Sequence, residues 1–507
     1  MKEIIKTQKP SRVIAIAVLL ITFNSCTDDV TLDDPNNLTQ DNFFESLSQI
    51  EAAANGTYNQ LQSRGLYKRF GYILGDAFSD EVNSSNDPNF RTPFVFGLLP
   101  STESVELYWA SCYRGISTCN FLIDGEQTMR ENLENGGVDF TEADINDALG
   151  QAYFLRGLYY YLLVKRYGGV PLVTTTTEVV EAPRSTLEET YAQIISDFTL
   201  AAQNLYPKGQ TEIGRAAQGA AFGMLGKTYL HRQMYGEAKA ALDQVTGYSL
   251  LPLADYRNNF NESGEYNDES MFEVAFSSDA GDRDGSEWGT DGQGLEEVTF
   301  HAQEYTGWGN FLPSDKLINE FEVDDPRSTI AVLQDGDPYG PNNEFTRSGG
   351  KVWYKFSNLY EEEFIPSEFS GINARILRYA DVVLMKAEVE NELGNASAAI
   401  GYLNELRNRL GLPEYGSAEM DARGYPVSSQ AEIFEAIVHE RWVELCGEQH
   451  RFDDLIRWGR DASEINVDDA GDSRGYNSSI HHVIPIPQTE IDNNPNINQE
   501  DQNEGWR

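Results

Sequence analysis

The sequence predicts a mainly α-helical protein, a superhelix of stacked helix pairs with long loop-rich insertions and a few short strands. Three observations carry this. Apolar residues recur at helical spacing through most of the chain. Some of these segments pair with the large and small residues that a repeated two-helix unit needs. The stretches between them are rich in Gly, Asp, Asn and Pro and hold only brief alternating runs.

At the N-terminus, Lys2, Lys6, Lys9 and Arg12 precede an apolar run from Val13 to Phe23, followed by Asn24-Ser25-Cys26-Thr27-Asp28-Asp29. A basic head, an apolar segment of roughly 7–15 residues and small residues at its end mark a secretory signal, whereas a bilayer span needs about 20. Export is therefore expected, with residues 1–25 removed. The remainder, 26–507, reads as one domain: a helical spine over about 41–247 and 375–460, an insertion over about 248–373, and an irregular C-terminal segment 461–507.

Within the spine the helical patterns run from Asp41 to Gln62, Val105 to Ile123, Glu142 to Tyr167, Leu187 to Leu205, Arg215 to Gln233, Gly236 to Val245, Arg375 to Leu393, Ala396 to Leu410 and Gln430 to Gly447. Ser185-Thr186 ahead of Glu188-Glu189 forms a start signal, and Gly168-Gly169 before Pro171 forms a stop. Phe222-x-x-Leu225-Gly226-x-x-Tyr229, followed by Ala238, Leu242 and Val245, fits a 34-residue tetratricopeptide-like unit. Gly226 and Ala238 would let two helices approach while Leu225, Tyr229, Leu242 and Val245 fill the seam. Ala387 with Ala399, Leu403 and Leu406 repeats the scheme. Such units cannot bury their faces alone, so they must stack into a superhelix. In the insertion, the runs from Met271 to Phe276 and from Lys351 to Phe356 read as strands.

Composition narrows the function. The chain has 38 basic and 81 acidic residues, a formal charge of −43, and losing residues 1–25 makes it more negative. Nucleic-acid binding depends on Lys and Arg neutralising phosphates, so no nucleic-acid partner is expected. The 25 Phe, 26 Tyr and 7 Trp suffice for a large core and leave aromatics for a surface. Apart from Cys26, the cysteines are Cys112, Cys119 and Cys446; the first two lie seven apart on one helix, about 10 Å and beyond disulfide reach. Buried thiols are expected at all three.

Catalytic signatures are missing: there is no nucleophile elbow, His-Glu-x-x-His or phosphate loop, and the six His show no zinc spacing. With so many carboxylates, a pair of them says nothing about glycoside hydrolysis. The stretch from Asp282 to Asp291 approaches a calcium loop but lacks the first ligand, with Ala280 there, and the closing Glu. No enzyme activity and no cofactor are expected, calcium on this loop being the one alternative.

Several motifs together resemble the SusD/RagB family of surface glycan-binding lipoproteins. They are Ala152-Tyr-Phe-Leu-Arg-Gly-Leu-Tyr-Tyr-Tyr161 with Arg166-Tyr-Gly-Gly-Val-Pro-Leu172, Pro183-Arg-Ser-Thr186, Gly214-Arg-Ala-Ala217, Leu312-Pro-Ser314 with Asp325-Pro-Arg327, Leu377-Arg-Tyr-Ala-Asp-Val382, Glu440-Arg-Trp-Val-Glu-Leu445 with Arg451-Phe-Asp-Asp-Leu455, and Ile484-Pro-Ile-Pro-Gln488 with Glu490-Ile-Asp492 and Asn494-Pro-Asn496. They occur in the family's order. Cys26 resembles the lipid-modified cysteine of bacterial lipoproteins, and Asp28-Asp29 an outer-membrane surface-export tag. The resemblance implies a SusD-like fold and a catalytically silent protein. It would be lipid-anchored to the outer membrane, face the cell exterior, and capture oligosaccharide for a SusC-like TonB-dependent transporter. The RagB branch implies the alternative, capture of peptides. The charged residues of Leu377–Asp381 and Arg451–Asp454 read as buried ion pairs that lock helices.

A neutral-glycan site needs exposed aromatic platforms edged by carboxylates, amides and Arg. Trp288 and Trp308, the latter close to Tyr305, are flanked by Gly and polar residues and are the first candidates. By resemblance, the loop after the first helix offers Asp76, Asn83 and Arg91 as hydroxyl partners, against a capping Asp76 and a solvated Arg91. Trp109, on a helix, reads either as core or as a platform at the mouth of this loop. Trp353, Trp442 and Trp458 read as packing. The scarcity of basic residues favours a neutral glycan such as a β-glucan, α-glucan or fructan over a uronate.

Overall fold

The computed structural model describes residues 43–84, 88–176, 181–277, 311–339, 343–344, 350–356 and 371–506. From Phe44 onward they belong to one compact unit. The helices that matter below are numbered α1 (Leu47–Tyr58), α2 (Phe70–Asp76), α3 (Glu103–Asp124), α4 (Glu142–Tyr167), α5 (Leu187–Asn204), α6 (Gln218–His231), α7 (Tyr235–Leu242), α8 (Tyr379–Glu392), α9 (Ala396–Leu410), α10 (Gln430–Leu445) and α11 (Arg451–Arg457).

Each helix from α3 to α9 packs on the next in the series, α1 lies against α3 and α4, and α10 closes on α8 and α9. The chain leaves this stack after α7 and rejoins it at α8, so the insertion enters and leaves between two packed helices. The predicted pairs are realised. At Gly226 a Cβ would come within 2.5 Å of Leu242, and Leu242 and Ala238 are fully buried. Ala387, Ala399, Leu403 and Leu406 share one core with Ile433 and Ile437 of α10.

Helix α4 is buried along most of its length, because α1, α3 and α5 surround it. That explains its tyrosines. Three of the buried rings fill the core while their hydroxyls reach backbone carbonyls: Tyr159 donates to Thr57 (2.7 Å), Tyr160 to Val173 (2.9 Å) and Tyr167 to Val105 (2.6 Å). Thr141 and Asp144 cap its start, Thr186 and Glu189 cap α5, and Gly168 ends α4 at φ 74°. Cys112, Cys119 and Cys446 are buried free thiols, and burial pushes the Cys446 thiol up to about 12.

Two boundaries differ most from the sequence reading. Helix α1 starts at Leu47, where Ser46 and Gln49 form a capping box. The segment expected to open a helix at Arg375 is a strand. Strands β1 (Val82–Ser84), β2 (Ser270–Val274), β3 (Phe311–Pro313), β4 (Val332–Gln334), β5 (Lys351–Trp353) and β6 (Ala374–Arg378) form three antiparallel pairs, β1 with β3, β2 with β6 and β4 with β5. Every residue of β6 is buried, so its apolar pattern carries no period that separates strand from helix. The irregular C-terminal segment docks on the body through amides: Ile484 N–H donates to Arg166 O (2.7 Å), and Asn503 Nδ2 donates to Tyr167 O (3.0 Å) and Ile484 O (2.7 Å).

Candidate functional site

Trp288, Tyr305, Trp308 and the Asp282–Asp291 loop lie outside the described residues, as does Cys26. The described candidates divide into two kinds. Asp76, expected as a surface hydroxyl partner, turns inward: at the end of α2 it is 1% exposed, and its Oδ1 accepts from Gln449 N–H (3.0 Å), so it locks the loop from within. Trp109 is likewise core. Its indole meets Tyr167 edge to face at 4.9 Å, its Nε1 donates to Glu490 (3.3 Å), and it is 4% exposed. Asn83 and Arg91 are half-buried and reach the surface.

Asn83 sits in β1 opposite Leu312 of β3. This ladder joins the loop after α2 to the strand that begins three residues beyond Trp308 in sequence. Around it lies a polar cluster assembled from four distant segments. Asp469 accepts from Asn83 Nδ2 (3.1 Å), Asp315 N–H (3.0 Å) and Lys351 Nζ (2.6 Å), and Lys351 also pairs with Asp315 at 2.6 Å. The Asp315 carboxylate is 65% exposed, while Asp469 and Lys351 are mostly covered. Amide, ammonium and carboxylates fixed at a surface can bind hydroxyls.

Arg474 supports this edge from below. Its guanidinium donates to the carbonyls of Ala77 (2.6 Å), Ser79 (2.6 Å) and Phe94 (3.1 Å) and stacks 4.0 Å above the Phe94 ring, which fixes both ends of the loop carrying Asn83 and Arg91. With no carboxylate in contact, burial lowers its pKa to about 9. Beside it, Asp80 pairs with Arg451 (2.8 Å), and Glu81 accepts from Gly447 N–H (3.2 Å). Burial, reinforced by Asp76, raises the Glu81 carboxyl well above its ordinary value. Nothing local in the sequence marks Asp469, Lys351, Asp315 or Arg474, because the tertiary fold alone brings them together.

The charged motif residues form a separate, internal system. Glu444 of α10 forms ion pairs with Arg409 (2.8 Å), Arg378 (3.2 Å) and Arg327 (3.1 Å), all of them at most 3% exposed. Arg378 also holds Glu269 and Glu448, Arg327 also holds Asp325 and Glu440, and Lys355 pairs with Glu448 (2.7 Å). Further along, Asp381 bridges Lys227 (2.8 Å) and Arg441 (2.9 Å), and Asp454 bridges Arg441 (2.9 Å) and Arg457 (2.8 Å). Burial alone would raise Glu448; Arg378 and Lys355 outweigh it and hold the carboxyl at about 2. These groups tie α6, α8, α9, α10 and α11 to the insertion, as expected of buried ion pairs. Among the described residues, no three His, Cys, Asp or Glu side chains are grouped to hold a metal ion.

Comparison with known proteins agrees with this architecture. Residues 328–506 match the model of the SusD family, and residues 32–230 match a model described as starch-binding, associating with the outer membrane. A SusD-like protein of Formosa agariphila is 26% identical over 98% of this chain and 100% of its own length, and one of Bacteroides ovatus is 24% identical over 89% and 83%. A SusD-superfamily crystal structure from Bacteroides vulgatus superposes with a TM-score of 0.76 at 27% identity, covering 92% of this chain and 100% of that one. A structure described as a laminarin-binding SusD-like protein gives 0.72 at 25% identity, covering 90% and 99%. The stacked helix pairs, the buried motif charges and these matches have one common explanation: the chain belongs to the SusD/RagB family.

Proposed function

We propose that this protein is a non-catalytic capture lipoprotein. It binds a neutral oligo- or polysaccharide at the cell surface, is tethered to the outer membrane through Cys26, and delivers its ligand to a SusC-like TonB-dependent transporter. The observation that supports the reading is the β1–β3 ladder: it joins the half-buried Asn83 and Arg91 loop and the Asp469–Lys351–Asp315 cluster to the strand that follows the Trp288–Trp308 segment in sequence. Aromatic faces beside fixed hydroxyl partners are what a sugar ring requires. The net charge of −43 opposes uronates, and a family relative described as binding laminarin supports a β-glucan as the first ligand to try.

The test is calorimetry of the protein against laminarin, starch, a fructan and alginate, with Trp288→Ala and Trp308→Ala. Binding of one neutral polymer, weakened roughly tenfold or more in at least one variant, is expected. Unchanged affinity in both variants would remove the site assignment. Peptide co-purifying with a protein that binds no glycan would replace the reading by peptide capture, and measurable turnover of any polymer would overturn the non-catalytic part.

A further inference from the structure

The segment between α5 and α6, which holds the Gly214-Arg-Ala-Ala217 motif, closes with Tyr248, Tyr266 and β2 around a pocket of about 210 Å³. It shares no residue with the edge described above. Its charges are already matched within the protein. Arg215 pairs with Glu212 (2.9 Å). Glu273 accepts from Tyr266 N–H (3.2 Å) and Asn373 Nδ2 (2.9 Å) and lies 3.4 Å from Arg375. Lys208, the remaining charged group of the wall, donates to the carbonyls of Asn267 (3.0 Å) and Asp268 (3.2 Å) and lies 4.4 Å over the Tyr248 ring, so every charge lining the pocket is engaged within the protein, which favours a neutral ligand.

Two hydroxyls in its wall, Thr211 Oγ1 and Tyr248 Oη, are buried without a hydrogen-bond partner among the described residues. Buried polar groups are nearly always satisfied, so such a pair in one pocket wall calls for a ligand or solvent rich in hydroxyls. The floor is apolar, formed by Met271 and Phe272. Tyr266 adds a third, independent sign: it holds φ at 56°, a left-handed conformation that costs a non-glycine residue on the order of 1 kcal/mol and concentrates at ligand clamps. Gly214, beside the Tyr266 hydroxyl, holds φ at 90°, a conformation that L side chains rarely adopt. The volume falls below the roughly 300–1,000 Å³ of sites for drug-sized ligands, so the occupant is one or two rings rather than a chain segment.

We propose that this pocket is a second carbohydrate site, separate from the capture edge, which takes one end of a short neutral sugar with a ring against Tyr266 and its hydroxyls on Thr211 and Tyr248. It rests on the reading that the protein handles glycans. The probes are laminaribiose, maltose and cellobiose, with laminarin as polymer and benzyl alcohol as an apolar control. Binding is followed by saturation-transfer NMR and calorimetry in wild type, Tyr266→Ala, the pocket-filling Thr211→Phe, and Trp308→Ala. At least one disaccharide is expected to bind wild type and to weaken roughly tenfold or more in both pocket variants while Trp308→Ala leaves it unchanged. The inference is overturned if no disaccharide binds, if binding survives both pocket variants, if Trp308→Ala alone abolishes it, or if only benzyl alcohol binds. Laminarin binding that depends on Trp308, with no disaccharide bound, would leave the capture reading standing and retire the pocket. A disaccharide in the pocket with no polymer bound would do the reverse.

Discussion

Replacing Glu444 by Gln keeps the volume but removes the charge at the hub of the internal ion system. The carboxylate is fully buried and lies 2.8 to 3.3 Å from three guanidiniums. An amide there turns an NH2 group toward donors and leaves cations short of a partner, and breaking a buried pair from one side costs about 3–5 kcal/mol. Arg378 keeps Glu269 and Glu448, and Arg327 keeps Asp325 and Glu440, so the lower end, about 3 kcal/mol, is expected. Glu103→Gln is the control. Glu103 pairs with Arg64 at 3.0 Å, but its side chain is 58% exposed, and exposed pairs contribute about 0–1 kcal/mol. Urea unfolding followed by circular dichroism would compare the two at common slope, with and without added salt. Only the Glu103 pair should respond to salt. A Glu444→Gln cost below about 1 kcal/mol, or equal to that of Glu103→Gln, would refute the claim that the motif charges lock the fold.

His439 gives a pH prediction. Burial alone would lower its pKa, but Glu320 (2.6 Å) and Glu322 (3.4 Å), with Glu440 nearby, raise it to about 8 from an ordinary 6.5. A raised folded pKa stabilises fully below pH 6.5 and is lost as pH climbs through 8, a change of about 2 kcal/mol. His439→Gln should flatten stability between pH 6.5 and 8.5, and parallel curves for variant and wild type would contradict this. At Gly115 a methyl would overlap the Tyr159 ring, which is fully buried and anchored to Thr57 O. Overpacking of about 1–3 kcal/mol should exceed the gain of about 1 kcal/mol from replacing a helical glycine, so Gly115→Ala should lower the melting temperature, and an unchanged or higher one would show that α3 and α4 have slack. Asp469→Ala removes the acceptor shared by Asn83, Asp315 and Lys351. Laminarin affinity should fall roughly tenfold with little change in melting temperature, and retained affinity in a protein that binds laminarin would detach the cluster from the site.

Much of the spine was legible because its signals are local. The range Glu142–Tyr167 could be read to the residue, since a helical apolar pattern and a glycine stop lie on the same segment. Ala396–Leu410 was equally plain, with Gly411 left-handed at its end. The pairing of α6 with α7 followed from Gly226 and Leu242. By contrast, β6 was hidden by uniform burial, and α2 by its shortness and equally complete burial.

The site was legible only as composition. Polar flanks could nominate Asn83 and Arg91, but not show that Asp76 turns inward to Gln449, because the partner lies 373 positions away. Trp109 had a helical pattern consistent with either side, and its fate was settled by Tyr167 of α4 and Glu490 of the C-terminal segment. The sequence by itself therefore determined most of the helices, their pairing, the strongly acidic charge and the family, since periodicity, caps, composition and motif order are properties of the chain. Only the tertiary structure decided which charges are internal, which loop residues reach the surface, and that Asn83, Asp315, Lys351 and Asp469 meet. Burial and hydrogen bonding depend on neighbours from distant parts of the chain, and no local pattern encodes them.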